Sequence, residues 1–180
     1  LRHAGRLAIE GRVLGDRQAF PHLGRILVKP FLRLRQHGRN LVCAQRPADP
    51  IHLPAGTAAL PAPSGVPAAL RATLVEQPLL PTEILGVSAA PTAASSAPYA
   101  IQFTCTLPDN KAQLAGAELY LKGDQIWITP DFERLTGKLV ARTRENLILL
   151  TVPAGALKPG RYQITLAGQN SSRAWTLQVK

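Results

Sequence analysis

The chain is short of the residues from which reactive sites are built. Of its 180 residues, two are cysteine, four are histidine and none is methionine, and aromatics make up 5%. Any core must therefore be mostly aliphatic. Cys43 and Cys105 form no CxxC pair, and His3, His22, His37 and His52 show no metal-ligand spacing. A zinc site built from His37, Cys43 and His52 has nothing in its spacing to support it, and no metal or other cofactor is expected. No histidine follows His52. A His-assisted nucleophile in the second half would need the N-terminal region folded over it. Glycine-rich phosphate loops and nucleophile elbows are missing too. No stretch reaches the roughly eighteen apolar residues of a membrane-spanning helix, and no signal-peptide layout stands at the start. A chain that opens on Leu1 reads as a fragment or an incompletely delimited gene, so the missing leader and anchor carry no information about what stands upstream.

Positive charge and proline are what the chain has in quantity. The formal net charge is +10. Residues 1–50 hold ten Lys/Arg against three acids, residues 51–100 one against two, and residues 101–180 ten against six. Residues 1–48 are rich in Arg, Gly and Leu. Pro21 and Pro30 interrupt any helix between them, and Gly5, Gly11, Gly15, Gly24 and Gly38 weaken the rest. A poorly ordered basic arm is expected there, with residues 1–60 making few long-range contacts. Arg25, Lys29, Arg33, Arg35 and Arg39 are its candidate contacts to nucleic acid or an acidic surface; a solvated tail is the plainer reading. Residues 47–98 carry ten of the sixteen prolines among Ala, Ser and Thr. Such chains stay extended and bury little, so residues 49–98 read as a linker. Within it, Pro67 to Gln77 is expected as a short helix with Pro67 in its first turn. Leu79-Leu80 and Ile84-Leu85 are expected to touch a neighbour, and Ser88 to Pro98 to be the final spacer.

From Tyr99 the pattern changes to period two. Tyr99, Ile101, Phe103, Cys105 and Leu107 alternate with Gln102, Thr104 and Thr106, so Cys105 reads as a buried free thiol. Ala117, Leu119 and Leu121 alternate next, and Gly123-Asp124 signals a turn. Gln125 to Thr129 follows and is expected to end at Pro130, which cannot donate to a ladder. Lys138 to Arg142 suits a short charged edge strand. Leu147 to Val152 is a continuous apolar run expected to be buried on both faces. Tyr162, Ile164 and Leu166 alternate, and Trp175, Leu177 and Val179 close the chain. Seven short strands with turn signals about every ten residues predict an all-β fold, a small immunoglobulin-like β-sandwich over residues 99–180.

Its core is expected to bring Trp127, Leu149, Ile164 and Trp175 together, while Tyr120 points outward. The segment from Leu157 to Tyr162 resembles the corner of immunoglobulin-like sandwiches, in which a tyrosine hydroxyl bonds back to the backbone. Pro159 pre-sets one dihedral and Gly160 supplies positive-φ freedom. The hydroxyl of Tyr162 is expected to reach the backbone around Pro153 to Leu157. The Gly123-Asp124 connection is too tight to cross between sheets, and no cysteine pair accompanies the tyrosine.

Residues 99–180 as a whole resemble the C-terminal sandwich of zinc-finger anti-sigma-factor-like membrane proteins of bacteria. The resemblance rests on the Tyr99-to-Pro108 strand, Ile126-Trp127, Leu147 to Pro153, Leu157-x-Pro-Gly-x-Tyr162 and Trp175-x-Leu-x-Val179. It implies a sandwich carried outside the cytoplasmic membrane beyond a proline-rich linker. The zinc motif and membrane helix of that group are missing from this sequence, so sigma-factor binding does not carry over.

Catalytic constellations are thin. Asp109, Asp124, Asp131, Glu133 and Glu145 fall in or beside turns, where solvated carboxylates are a better reading than an acid/base pair or a calcium site. The expected function is non-enzymatic: an extracytoplasmic module for protein contact or spacing, in the manner of a sensor or accessory domain. The alternative is a nucleic-acid or acidic-surface binder acting through the basic arm.

Overall fold

The computed structural model describes residues 43–47 and 59–180 other than Val75, together with the backbone of 32–33, 35–36 and 39–40. Three two-residue strands, β1 (Leu32–Arg33), β2 (Arg35–Gln36) and β3 (Arg39–Asn40), precede β4 (Cys43–Gln45) and β5 (Leu60–Ala62). A single helical turn, α1 (Ala68–Arg71), leads to β6 (Glu83–Ala89) and β7 (Thr92–Ala93). The long strands follow: β8 (Tyr99–Thr106), β9 (Ala112–Lys122), β10 (Gln125–Arg134), β11 (Glu145–Val152), β12 (Gly160–Leu166) and β13 (Ser172–Val179). One main sheet runs in the order β1-β9-β10-β12-β13-β5, with β7 also on β13, the other main sheet runs β4-β11-β8-β6, and β2 and β3 pair with each other as a separate two-stranded sheet. The chain is thus an all-β sandwich.

Period-two patterning accounts for the layers. In β8, Tyr99, Ile101, Phe103 and Cys105 are buried and the residues between them are half-buried. Ile148, Leu150 and Val152 of β11 do the same from the neighbouring strand. Across the interface, Ile126 and Ile128 of β10, Ile164 and Leu166 of β12, and Trp175, Leu177 and Val179 of β13 complete one core. Burial of this aliphatic surface is the main favourable term. Leu147 to Val152 is therefore not buried on both faces: Leu147 and Leu149 are half-buried on the outer side.

Gly123-Asp124 makes a two-residue hairpin between β9 and β10, with Lys122 opposite Gln125 and Gly123 at φ 62°. Both strands stay in one sheet, as the tightness of the turn requires. β10 does not stop at Pro130 but continues to Arg134. The reason lies in its neighbours. β12 pairs with β10 only as far as Ile128, and beyond it the N–H of Phe132 donates to Leu79 O at 3.1 Å. Pro130, two residues before Phe132, turns its missing N–H to that same side, where the strand is locally an edge and proline is tolerated. The β10–β12 pairing is parallel, whereas immunoglobulin sandwiches are built from antiparallel sheets.

The sandwich also takes in residues whose composition reads as linker. β6 pairs antiparallel with β8 along its whole length and buries Ile84 and Ala89. After Ala90-Pro91 the chain changes sheets, and Thr92-Ala93 lies parallel to β13. Residues 83–93 are thus part of the domain rather than a spacer. Their strand signal is masked by a register shift between Ile84 and Gly86, which breaks the alternation at Leu85. β4, in the nominal arm, pairs with Leu149 to Thr151 of β11. The rest of the expectation for residues 1–60 falls largely outside the described residues. Lys138 to Arg142 is not a strand but part of the loop between β10 and β11.

Candidate functional site

The two outer faces of the sandwich differ. After β5, which pairs with β13 at the edge of the larger sheet, residues 63–74 and 76–82 form a strap on the outer face of that sheet. Pro67 stands at the N-terminus of α1 as expected, but the helix stops after one turn at Arg71. Leu70 of that turn is fully buried, and with Val66 it covers Tyr120 of β9. Leu74, Leu80 and Trp127 pack around this second cluster. Tyr120, expected to be an exposed aromatic, is therefore buried, with its hydroxyl bonded to the Glu118 carboxylate. Trp127, expected in the main core, is half-buried on the outer side, opposite Tyr120. The core expectation is corrected for Trp127 and Leu149, while Ile164 and Trp175 lie in the core. Strand parity explains it: Ile126 and Ile128 occupy the inward positions of β10, so Trp127 between them must face out.

The buried polar groups serve the scaffold. Trp175 Nε1 donates to Tyr99 Oη at 3.0 Å, and that hydroxyl donates to Ala90 O at 2.9 Å. This relay joins β13, β8 and the crossing between β6 and β7. Burial pushes the Tyr99 phenol up to about 12, partly offset by the Trp175 bond. Cys105 is a free thiol, fully buried, and burial likewise pushes it up to about 12. A thiol so placed is inert as a nucleophile.

The corner is present. Tyr162 is buried and its hydroxyl donates to Lys158 O at 3.0 Å, one residue past the expected stretch. Gly160 has φ 159°, beside the extended region rather than in the left-handed well, and a Cβ there would lie 3.7 Å from Tyr162 Cε2. The glycine is thus stacked beside the tyrosine ring, with Pro159 exposed before it. Tyr162→Phe should cost about 1 kcal/mol, because the Lys158 carbonyl loses its donor while the ring stays packed. A thermal melt that coincides with the parent's would remove the hydroxyl from the account of stability.

The turn carboxylates are mostly engaged one by one. Asp109 accepts from Lys111 N at 2.8 Å and from Arg134 Nη1 at 3.2 Å, and these contacts hold its carboxyl below the usual range. Glu133 accepts from Gln113 Nε2 at 2.6 Å. Asp131 accepts from Leu79 N at 3.0 Å and so pins the end of the strap to β10. Among the described residues no three His, Cys, Asp or Glu side chains gather as metal ligands. Burial raises the Asp131 carboxyl, opposed by the Leu79 and Phe132 N–H groups and reinforced by Glu76 and Glu133. Folding therefore favours its protonated form, so ionised Asp131 detracts from stability at neutral pH and detracts less as pH falls toward 3.8. Asp131→Asn keeps an acceptor for Leu79 N. Its stability advantage over the parent should be greatest at neutral pH and shrink on acidification. A gap that widens instead would mean the carboxylate is net stabilising.

The outer face of the smaller sheet carries a concavity. Rows set by the pairing place Leu147 opposite Thr104, Leu149 opposite Gln102 and Thr151 opposite Ala100. A shallow hollow of about 590 Å³ is lined by Thr104, Thr143, Arg144, Glu145 and Leu147. Arg144 is anchored through Nε to Leu107 O at 3.0 Å. Sequence reading missed this face because Leu147 and Leu149 looked like core; the Thr and Gln positions of β8 were the signal for it. Of the proposed anionic contacts, Arg25 and Lys29 lie outside the described residues, as do the side chains of Arg33, Arg35 and Arg39. Among the described residues no helix is long and apolar enough to cross a membrane.

No protein family, no curated protein and no solved structure matches this chain.

Proposed function

We propose that the chain is a non-enzymatic β-sandwich module that makes a protein contact through the outer face of the β4-β11-β8-β6 sheet. The observation that carries the reading is the asymmetry of the two faces. The larger sheet hides Tyr120 and Trp127 under the strap, while the smaller one holds Leu147 and Leu149 half-buried among Thr104, Gln102 and Thr151. A mixed face of apolar and hydroxyl side chains with one anchored arginine at its rim is typical of non-obligate interfaces. The inert setting of Cys105 and Tyr99 supports a binding role over a catalytic one. An extracytoplasmic setting, as a sensor or accessory domain, rests on the resemblance of residues 99–180 alone.

Photo-crosslinking from position 104 in cells tests the reading. A discrete adduct that disappears when Leu147→Arg is added is expected. A set of adducts indifferent to Leu147→Arg, or none, would sink it.

A further inference from the structure

Lys138 to Arg142, read from the sequence as a charged edge strand, instead lie in the loop between β10 and β11. From Arg134 to Arg144 it reads Arg-Leu-Thr-Gly-Lys-Leu-Val-Ala-Arg-Thr-Arg, with four basic residues and no acid. Leu139 and Val140 are 64% and 56% exposed, two of the four large hydrophobic side chains left open among the described residues, and they are adjacent. Together they form a small apolar tip with basic residues on either side of it.

The exposure is built in. Leu135 N donates to Lys111 O at 2.8 Å, and Ala141 N donates to Asn110 O at 2.6 Å. Arg144 and Leu107 are joined twice, by Leu107 N to Arg144 O at 2.9 Å and by Arg144 Nε to Leu107 O at 3.0 Å. Both stems of the loop are thus tied to the β8–β9 turn. Between the ties residues 136–140 stand proud, turned by Gly137 at φ 69°. The charges behind the tip are arranged in one sense. Asp109 is occupied by Arg134 and Glu133 by Gln113, whereas Lys138 and Arg142 pair with no carboxylate among the described residues. Glu145 closes the segment where β11 begins.

We propose that this loop docks on an anionic lipid bilayer, with Leu139 and Val140 entering the interface and Lys138 and Arg142 meeting the headgroups. The shape decides for a bilayer over a protein partner. A specific protein interface needs roughly 800 Å² from each side, which a convex tip of two apolar side chains does not offer. A bilayer accepts such a tip anywhere on its surface, and apolar insertion flanked by Lys/Arg is the chemistry of interfacial anchoring. The inference is independent of the face proposed above, which lies on the sheet and not at this tip.

The test uses the full chain in vesicle sedimentation, with phosphatidylcholine alone and mixed with phosphatidylserine. Binding to the mixed vesicles is expected, falling as salt rises from about 0.1 to about 1 M, where the screening length drops from about 10 to about 3 Å. Leu139→Asp with Val140→Asp should weaken it about tenfold or more with an unchanged melting temperature, since neither side chain is packed. Lys138→Gln with Arg142→Gln should lose only the part that depends on phosphatidylserine. Val140→Trp, which adds no charge, should show emission shifted to the blue on the mixed vesicles beyond any shift of the parent. Equal binding by the Asp pair would assign the affinity to the basic residues 1–48 and overturn the proposal. A parent that ignores the mixed vesicles would overturn it too and leave the exposed pair to a protein contact.

Discussion

Trp175→Ala should cost about 3–5 kcal/mol, the range for truncating a buried large aromatic. The ring is 3% exposed and packs in the main core. Its loss also takes the Nε1 donor from Tyr99, leaving that hydroxyl with Ala90 O alone. A domain of this kind holds only about 5–15 kcal/mol in total, so the variant should approach the edge of unfolding. Trp175→Phe separates the two contributions. It keeps most of the apolar volume and should cost less, about 1–2 kcal/mol for the indole bond and the small void. Urea unfolding followed by tryptophan fluorescence reads both changes, Trp127 serving as the remaining reporter. An Ala variant melting within a few degrees of the parent would place the ring outside the cooperative core.

Gly168→Ala should be nearly as damaging for a different reason. A Cβ at Gly168 would lie 2.2 Å from Ser171 O and 3.1 Å from Ile84 Cγ1. The first of these is backbone, and it cannot swing away. The β12–β13 turn is fastened on several sides: Gly65 N to Gly168 O at 2.8 Å, Gln169 N to Pro81 O at 2.8 Å and Asn170 N to Thr82 O at 2.9 Å. Gly168 N also donates to Ser172 Oγ at 3.2 Å. Relief of the clash must break some of these bonds, and about 3 kcal/mol is expected, the upper end of ordinary overpacking. Gly116→Ala is the control. Nothing lies within 4 Å of its would-be Cβ, so it should stay within about 0.5 kcal/mol of the parent. If the two variants melt together, the turn is free to rearrange and the strap it holds is not fixed by it.

Gly168 also shows where sequence reading reaches its limit. Gly168 to Ser172 is legible as a turn from composition, yet the need for glycine at 168 comes from Ser171 O and Ile84, and Ile84 belongs to β6, far earlier in the chain. The candidate faces have the same history. Leu147 and Leu149 sit in an unbroken apolar run, and nothing within the run says which parity faces the core. β8 decides it, because Ile101 and Phe103 fill the interior opposite Leu150 and Ile148.

Local pattern by itself determined the all-β class, the strands around Tyr99, Leu119, Ile126, Leu149, Ile164 and Trp175, the tight hairpin at Gly123-Asp124, the buried thiol of Cys105 and the corner at Tyr162. These follow from period-two alternation and turn chemistry, which act over a few residues and are written in adjacent letters. Only tertiary structure decided that Tyr120 and Trp127 lie beneath a strap, that Pro130 sits inside a strand, that the Pro-rich stretch supplies β6 and β7, and that Leu139 and Val140 stand exposed. Each of those depends on which strand lies alongside and where it ends. Burial and hydrogen-bond satisfaction are set by neighbours in space, and a residue's own sequence context does not name them.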